Sequence, residues 1–544
     1  MQDNIFGTLI TDELKLINHR AHRSGLQHNY AIEPVQPKPD GGVSVFARLG
    51  PDLDVDRMVC YYTINGEQPV AANGSSASVK SVQLHRVRVE WDTLIWGYVE
   101  VWCGEIPAQA EGTLVRYAIA GHKGGKAVAY ADWPEPKLLQ EVATHAHFSD
   151  TPIPPAQPGD PLSGKTFAYH VNRYPAPEWA RKAIIYHIFS DRFHPGDGRD
   201  WTQTTNLSDY CGGTLWGIRD RLDYIQELGA TAIWLSPTWP STSYHGYDVT
   251  DYKAVSDRLG GAEAMHGLIK EAHKRGIKIL LDLIANHTSF EHPYFVEAST
   301  KPDSQYRQHF LFDKSEIGYR TFFGLRSMPQ VNLANEAARQ WMIDIARYWL
   351  TEFGVDGFRL DHANGPGPEF WTEFQMACKG ANPESICFGE VVEPPSDYLR
   401  YAGRVDGLLD FALNDSLRRT LGYGIMTREI FDTFLGRHLD YFKSTGLLLP
   451  TFLDNHDMKR FLFIAGEDKQ KLRQAAELQF KLPGPPIIYY GTEAGMSEHD
   501  TDVPHDRLVG CRAPMVWGAE QDKELFNFYQ NLIRQREKAK PWLQ

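Results

Sequence analysis

From residue 180 onward the chain repeats one unit: a short apolar run, a loop, then an amphipathic helical stretch. The apolar runs fall at 183–189, 232–235, 278–284, 357–361, 387–390, 407–411, 449–454 and 486–491, and residues 523–538 carry a helical pattern after the last. Short runs with little polar alternation read as strands covered on both faces, the state of a parallel sheet. The stretch 262–275 shows the helical half of the unit. Met265, Leu268, Ile269 and Ala272 recur at i, i+3, i+4 and i+7, and Gly276 stands where a left-handed stop belongs. Asn335 is placed to cap another helix, whose apolar face is Met342, Ile345, Ala346, Trp349 and Phe353 and whose end is Gly354. A third helical pattern runs over 216–228. Eight such units in about 360 residues predict an α/β fold of the closed (β/α)8 barrel class. A doubly wound open sheet is the competing arrangement, and polar residues at the strand ends favour the barrel.

Residues 1–147 have a different texture. Val43–Leu49 alternates apolar and polar, as does 86–91; Tyr61, Tyr62 and Ile64 lead into Asn65-Gly66, a dipeptide suited to a tight hairpin turn. Residues 96–102 and 113–120 repeat the strand signal, while Leu9, Glu13 and Leu16 are ambiguous. An all-β sandwich domain is expected here. Residues 148–179 then hold Pro152, Pro154, Pro155, Pro158, Pro161, Pro175 and Pro177. Proline lacks an amide donor and fixes φ, so this segment is expected to be a linker. The barrel domain would follow over 180–544, with a short insert at about 288–334 after its third strand. Within the linker, Gly159 to Thr166 spells the phosphate-loop pattern, but prolines precede it and strand-like residues 167–171 follow. A phosphate loop needs a strand before it and a helix N-terminus after it, so no nucleotide site is expected.

Composition excludes several classes. There are 56 basic against 69 acidic residues, a formal charge of −13, which argues against a nucleic-acid partner. No apolar run is long enough for a membrane helix, and the first sixteen residues lack a basic-then-apolar leader, so a cytoplasmic protein is expected. The six cysteines are far apart, with no Cys-x-x-Cys pair, so neither a zinc knuckle nor a disulfide framework is indicated. Trp91, Trp96, Trp102 and Trp133 admit two readings: a platform for sugar rings, or the buried tryptophans routine in sandwich cores.

The chemistry gathers where strands end. The third strand runs Leu280-Leu281-Asp282-Leu283-Ile284-Ala285-Asn286-His287, the fourth Gly357-Phe358-Arg359-Leu360-Asp361-His362. The fifth finishes at Gly389-Glu390, and the seventh runs Phe452-Leu453-Asp454-Asn455-His456-Asp457. A carboxylate buried in a strand costs several kcal/mol unless it is paired or faces a polar site. In a barrel of this kind function sits at the C-terminal rim, so these four segments are read as one site.

Together they resemble the α-amylase family, glycoside hydrolase family thirteen. The four short regions of that family look like 282–287, 357–361, 389–390 and 452–457, in the same order. Residues 183–193, 229–237 and 482–491 resemble its first, second and eighth strands. His245-Gly246-Tyr247-Asp248 resembles the segment carrying a stacking tyrosine, and Ser327-Met328-Pro329-Gln330-Val331-Asn332 the stretch closing the insert. The first domain and the latter stretch lean toward the neopullulanase, cyclomaltodextrinase and maltogenic amylase branch. The resemblance implies a retaining enzyme acting on starch-like oligosaccharides, cyclodextrins or pullulan. Asp361 would be the nucleophile, Glu390 the general acid and base, and Asp457 the transition-state stabiliser. Arg359 would orient Asp361, His287 and His456 would bond sugar hydroxyls, and Tyr247 would stack on the ring. Asp282 is read as a structural partner of Arg359. Crowded carboxyls cannot all ionise, so the least paired is expected to keep a proton, and Glu390 is the expected holder. The carboxyl groups of Asp361 and Glu390 should lie about 5–5.5 Å apart.

A transglycosylase or isomerase using the same residues, and a non-catalytic sugar-binding relative, are the alternative readings. His362-Ala363-Asn364-Gly365 departs from the Val-Ala-Asn-Glu of the suspected branch. Ahead of Arg512 the family's usual acid is replaced by Leu508, with Asp506 close by. The family's C-terminal β-domain has no counterpart before Gln544. No cofactor is expected for the chemistry. The resemblance admits a structural calcium ion, with Asn286 matching a ligand of relatives and Asp197 and Asp200 offering oxygens in the loop after the first strand; the other reading of those two acids is plain solvated surface. By analogy with the suspected branch, the first domain permits a homodimer in which it covers a neighbour's site.

Overall fold

A computed structural model describes residues 12–69, 78–133, 164–171, 175–204, 206–498 and 510–543. After a helix at Asp12–Ala21, the first domain contributes β1 (Leu26–Gln27), β2 (Ile32–Glu33), β3 (Val43–Leu49), β4 (Arg57–Thr63), β5 (Lys80–Asp92), β6 (Gly97–Ile106), β7 (Leu114–Lys123), β8 (Lys126–Tyr130) and β9 (Phe167–His170). They connect in the order β1-β3-β6-β5-β4-β7-β8, with β2 on β3 and β9 on β7. The thirteen-residue β5 joins two halves. Its first residues pair with β4, from Met58 opposite Leu84 to Tyr62 opposite Lys80. From His85 onward it pairs with β6 instead, with an irregularity between Arg86 and Arg88. Alternate residues of β3 (Val43, Val45, Ala47, Leu49) are buried with Met58, Cys60, Leu84, Ile106, Tyr117 and Ile119 in one core. The period-two pattern of the sequence is therefore the pattern of burial.

The linker expectation is corrected at its far end. Phe167–His170, placed inside 148–179 by its prolines, is β9, paired antiparallel with β7 from Leu114 opposite His170 to Tyr117 opposite Phe167. Its apolar residues complete the first core: Phe167 and Tyr169 are buried there. A helix, Glu178–Lys182, already begins before residue 180. Gly164 to Thr166 lead into this strand, with Lys165 N–H donating to Ala131 O, so the described half of the phosphate-loop pattern meets no helix. Residues 134–163, which hold five of the seven prolines, lie outside the described residues, as do Leu9, Asp506 and Leu508.

The second domain holds β10 (Ile185–Ile188), β11 (Ala232–Leu235), β12 (Lys278–Leu283), β13 (Gly357–Leu360), β14 (Ile386–Gly389), β15 (Gly407–Leu408) and β16 (Ile487–Tyr489), all parallel. Their order, β15-β14-β13-β12-β11-β10-β16, is sequential. Residues 448–453 close the ring: Leu408 N–H donates to Leu448 O, and Ile487 N–H to Thr451 O. The expected seventh strand is thus present as single bridges rather than a regular ladder. Alternate residues separate into two cores. Ile185, Ala232, Trp234, Leu280, Ile386 and Phe388 pack together inside the ring. Ile188, Ile233, Leu235, Ile279, Leu281 and Phe358 pack outward against the helices. The helix read from 262–275 is Gly261–Lys274, with Met265, Leu268, Ile269 and Ala272 buried. Asn335 caps Glu336–Tyr348 as expected, its side chain accepting from Ala338 N–H at 3.1 Å. Residues 216–228 form two helices rather than one, Leu215–Asp220 and Leu222–Leu228, broken at Arg221.

Between β12 and that capped helix lie a helix, Pro293–Thr300, and antiparallel bridges joining Phe310 to Val331, Phe312 to Tyr319 and Thr321 to Pro329. The first domain meets the barrel through Arg116, paired with Glu373 at 2.8 Å, and through Tyr30, whose hydroxyl donates to Glu369 at 2.6 Å. His170 of β9 lies 3.1 Å from Gln375 Oε1. No disulfide joins the six cysteines, and among the described residues no helix is long and apolar enough to cross a membrane.

Candidate active site

Strand register assembles the site. Asp282 of β12 stands opposite Arg359 of β13, which stands opposite Phe388 of β14. These three face into the ring, and two residues further on the same faces carry Asp361 and Glu390. The backbone holds that next layer level, since Asp361 N–H donates to Leu283 O and Glu390 N–H to Leu360 O, each at 2.9 Å. Two carboxyls from neighbouring strands therefore point into one hollow because both sit one step beyond the regular ladder.

Arg359 is the hub. Its Nη1 lies 2.6 Å from Asp282 Oδ1 and 2.9 Å from Asp361 Oδ1, and its Nη2 lies 2.7 Å from Glu390 Oε2. Trp234 supports the same cluster: its Nε1 donates to Asp282 Oδ2 at 3.3 Å, and the guanidinium carbon sits 5.3 Å from its ring centroid. Three carboxyls share one cation in a buried space. Burial pushes Asp361 well above the ordinary carboxylate range, opposed by Arg359, and raises Glu390 and Asp282 for the same reason. The three carboxyls therefore titrate as a group rather than singly.

The expectation that Glu390 is the least paired member is corrected here. Glu390 Oε2 touches Arg359 and also accepts from His362 N–H at 3.1 Å. The unpartnered oxygen is Asp361 Oδ2, which is buried without a hydrogen bond. Each of the two carboxyls is anchored through one oxygen, and the other is left for chemistry.

Asp457 forms the opposite wall and is half exposed. Its Oδ1 lies 2.8 Å from Arg512 Nη2, and its Oδ2 lies 3.1 Å from His456 Nε2. Its charge raises both Asp361 and Glu390, so the three acids occupy one electrostatic neighbourhood. Tyr247 and His456 lie parallel, centroids 5.4 Å apart and planes 3° apart, and Tyr247 Oη is 3.0 Å from Asp282 Oδ2 and 2.5 Å from His456 Nε2. His456 Nε2 is thereby engaged within the protein and bears on Asp457. His287 differs: its Nε2 is buried with no partner, and Phe322 stacks on its ring at 4.5 Å. Burial drops the His287 pKa to about 3, and burial with Arg512 and Arg359 keeps His456 low, so both imidazoles are neutral. An orphaned ring nitrogen and an orphaned carboxylate oxygen in one hollow are the mark of groups awaiting a ligand.

The residues offered for calcium do not fit it. Asn286 Oδ1 accepts from Gln330 Nε2 at 3.1 Å, and a Cβ added to Gly365 would lie 2.2 Å from that oxygen, so its surroundings are filled. Asp197 is exposed and paired with Arg199 and Arg219, 3.4 and 3.6 Å away, and Asp200 is exposed nearby. Calcium takes six to eight oxygens, and guanidinium groups already occupy this loop. Among the described residues no group of three or more His, Cys, Asp or Glu side chains could hold a metal.

Sequence reasoning missed several partners. Arg512, named only as the residue ahead of which an acid is replaced, grips Asp457 and also donates from Nε to His456 O at 2.7 Å. Asn364 and Glu393 each follow a catalytic-site acid by three residues, and they meet at 3.3 Å. Burial, with Asp397 adding to it, pushes the Glu393 carboxyl up to about 8. Equal offsets beyond adjacent strand ends were the available signal for that pair. Phe322 carried none, since it arrives from a separate loop.

The family model of the alpha-amylase catalytic domain matches residues 187–521. Among curated proteins the chain is 41% identical over 370 residues to Alpha-amylase 2 of Dictyoglomus thermophilum, covering 67% of this chain and 65% of that one. It is 35% identical over 383 residues to Neopullulanase 2 of Thermoactinomyces vulgaris, covering 67% and 64%. The matches thus span just under two thirds of those relatives. Among solved structures, a cyclomaltodextrinase superposes with TM-score 0.63 at 25% identity, covering 94% of this chain and 84% of that one. A cyclic alpha-maltosyl-(1→6)-maltose hydrolase from Arthrobacter globiformis gives 0.60 at 30% identity, covering 66% and 83%.

Proposed function

The chain belongs to the α-amylase family, and on that premise we propose that it is a retaining glycoside hydrolase cleaving α-1,4-glucosidic bonds, and α-1,6 bonds where the substrate carries them, in starch-like oligosaccharides, cyclodextrins or pullulan. One observation carries this reading: Arg359 holds Asp361 and Glu390 on its two amino groups while Asp361 Oδ2 stays buried without a hydrogen bond. In the first step Asp361 Oδ2 attacks the anomeric carbon as Glu390 gives its proton to the departing glycosidic oxygen, and a glucosyl ester forms. In the second, Glu390 takes a proton from water, the hydroxide adds to the same carbon, and Asp361 leaves as carboxylate. Asp457, fixed by Arg512, would accept hydroxyls of the distorted sugar, and His287 Nε2 would bond another. Tyr247, parallel to His456, would present its ring to the sugar face. The steps draw on side chains alone. Cytoplasmic placement and assembly as a homodimer belong to the same reading, and sedimentation reads the latter directly.

The test is product analysis on maltotriose, γ-cyclodextrin and pullulan, with Asp361→Asn beside the wild type. Hydrolysis is expected to give only shorter products, released with the α-anomer first, and the variant is expected to lose activity by about 10³-fold or more. Products longer than the substrate would assign the enzyme to transfer instead. An unchanged variant, or initial release of the β-anomer, would end the reading.

A further inference from the structure

Where the two domains meet, beside the barrel rim, lies a cavity of about 590 Å³. Both domains and the insert wall it: Arg116 comes from β7, Lys165 from the run into β9, Arg320 from the insert and Arg339 from the capped helix. Against these four cations stand two carboxylates, Glu369 and Glu373, both on the helix Pro368–Ala381. A hollow with excess positive charge stands out in a chain whose formal charge is −13. Both carboxylates are already engaged. Glu373 serves two guanidinium groups, 2.8 Å from Arg116 and 3.2 Å from Arg339, and Glu369 accepts from Tyr30 Oη at 2.6 Å. Two of the cations are under-compensated. Arg116 is buried, yet its Nε has no hydrogen bond. Arg320 is exposed and makes no side-chain hydrogen bond or ion pair among the described residues. Burial lowers the Arg116 pKa, opposed by Glu373 and reinforced by Arg339, so additional negative charge nearby favours the guanidinium.

The lining selects the occupant. Among the described residues it holds no aromatic ring, so a neutral sugar finds no face to stack on; Trp91 and Trp96, exposed on the first domain, lie outside it. Guanidinium and ammonium groups instead suit the oxygens of a doubly charged phosphoryl group. Volume adds a second condition. The space falls in the range of about 300–1,000 Å³ typical of pockets for small organic ligands, more than a bare phosphate ion needs. Gln68 and Asn332 line the same space, and their amides can meet hydroxyl groups as donors or acceptors. The three acids of the catalytic hollow are not among the lining residues, although Asn286 and Gly365 of the adjoining rim loops are. The cavity is therefore a neighbour of the catalytic hollow and not part of it.

We propose that this interdomain cavity binds a sugar phosphate, its phosphoryl group on Arg320 and Lys165 beside the charge of Arg116, and its hydroxyls on the neighbouring amides. The same chemistry arrives either as a free hexose phosphate or as a phosphate ester carried on a glucan chain. The experiment reads calorimetric affinity and melting temperature of the full chain, in an Asp361→Asn background so that glucans stay intact. The probes are glucose 6-phosphate, a phosphorylated maltodextrin and inorganic phosphate, with glucose and plain maltodextrin as controls. Glucose 6-phosphate is expected to bind and raise the melting temperature, and inorganic phosphate to bind about tenfold more weakly. A phosphorylated maltodextrin that outbinds the plain one assigns the ester on glucan as the source, and one that does not assigns the free sugar phosphate; both support the site. Arg320→Ala, at an exposed position, should match the parent in melting temperature without ligand. It is expected to weaken glucose 6-phosphate about tenfold, and Arg320→Lys to keep most of the affinity. No binding of glucose 6-phosphate, equal binding of glucose or of inorganic phosphate, or an affinity untouched by Arg320→Ala would each overturn the proposal. None of the glucose 6-phosphate outcomes depends on whether the chain cleaves glucan, so the two readings fail separately.

Discussion

At the scale of residues, the site turns on one guanidinium. Arg359 is planar, always charged and able to address three carboxyls from two amino groups, which an ammonium cannot do. Arg359→Lys should keep the charge yet release at least one acid, lowering kcat by about 10²-fold with a small change in KM. Arg359→Gln leaves buried carboxyls without a cation and should also cost about 3–5 kcal/mol in chemical unfolding. Glu393 gives a separate reading. Its carboxyl titrates near 8 in the fold against 4.5 as the ordinary value. Over that window the folded state holds a proton the unfolded chain has released, so this group's contribution to stability falls as pH rises. Glu393→Gln removes that slope. The melting temperature of the variant, relative to wild type, should therefore climb from pH 5 to pH 9, and a constant difference would contradict the assignment.

At the scale of elements, the legible parts were those with a local rule. The helix over 262–275 announced itself by spacing, and its face is buried as that spacing requires. Asn335 was legible as a cap from its place before an apolar stripe; Asn335→Ala should cost about 1 kcal/mol in urea unfolding, and Asn335→Asp much less. The four acidic strand ends were legible because burying them needs a reason, and register then brought Asp282, Arg359, Asp361 and Glu390 together. The rest depended on partners distant in sequence. β9 showed as strand-like residues, but the prolines on both sides assigned it to the linker, and only its pairing with β7 makes it part of the sheet. The break at Arg221 is set by tertiary packing, with its guanidinium over Trp517 at 4.4 Å. Proton placement among the acids also escaped, because counting partners requires coordinates. Trp91 and Trp96 were undecided since period two in a strand does not say which face meets the core.

At the scale of the whole molecule, two domains share a polar seam built on Glu373, which Arg116 of β7 and Arg339 of the capped helix both grip, at 2.8 and 3.2 Å. Tyr30 and Glu369 add a second tie. Glu373→Ala leaves two buried arginines facing one another. It should lower the melting temperature and, in calorimetry, begin to separate the unfolding of the β domain from that of the barrel; one unshifted transition would show the seam to be inert. The position of β9 bears on how the chain could be divided. A piece ending at residue 147 would lack its last edge strand and expose the backbone of β7. A piece beginning at residue 164 would carry that strand as an unmatched extension. Expressed separately, the two would be donor and acceptor, and mixing them should restore a nicked but working enzyme, in the manner of a split reporter.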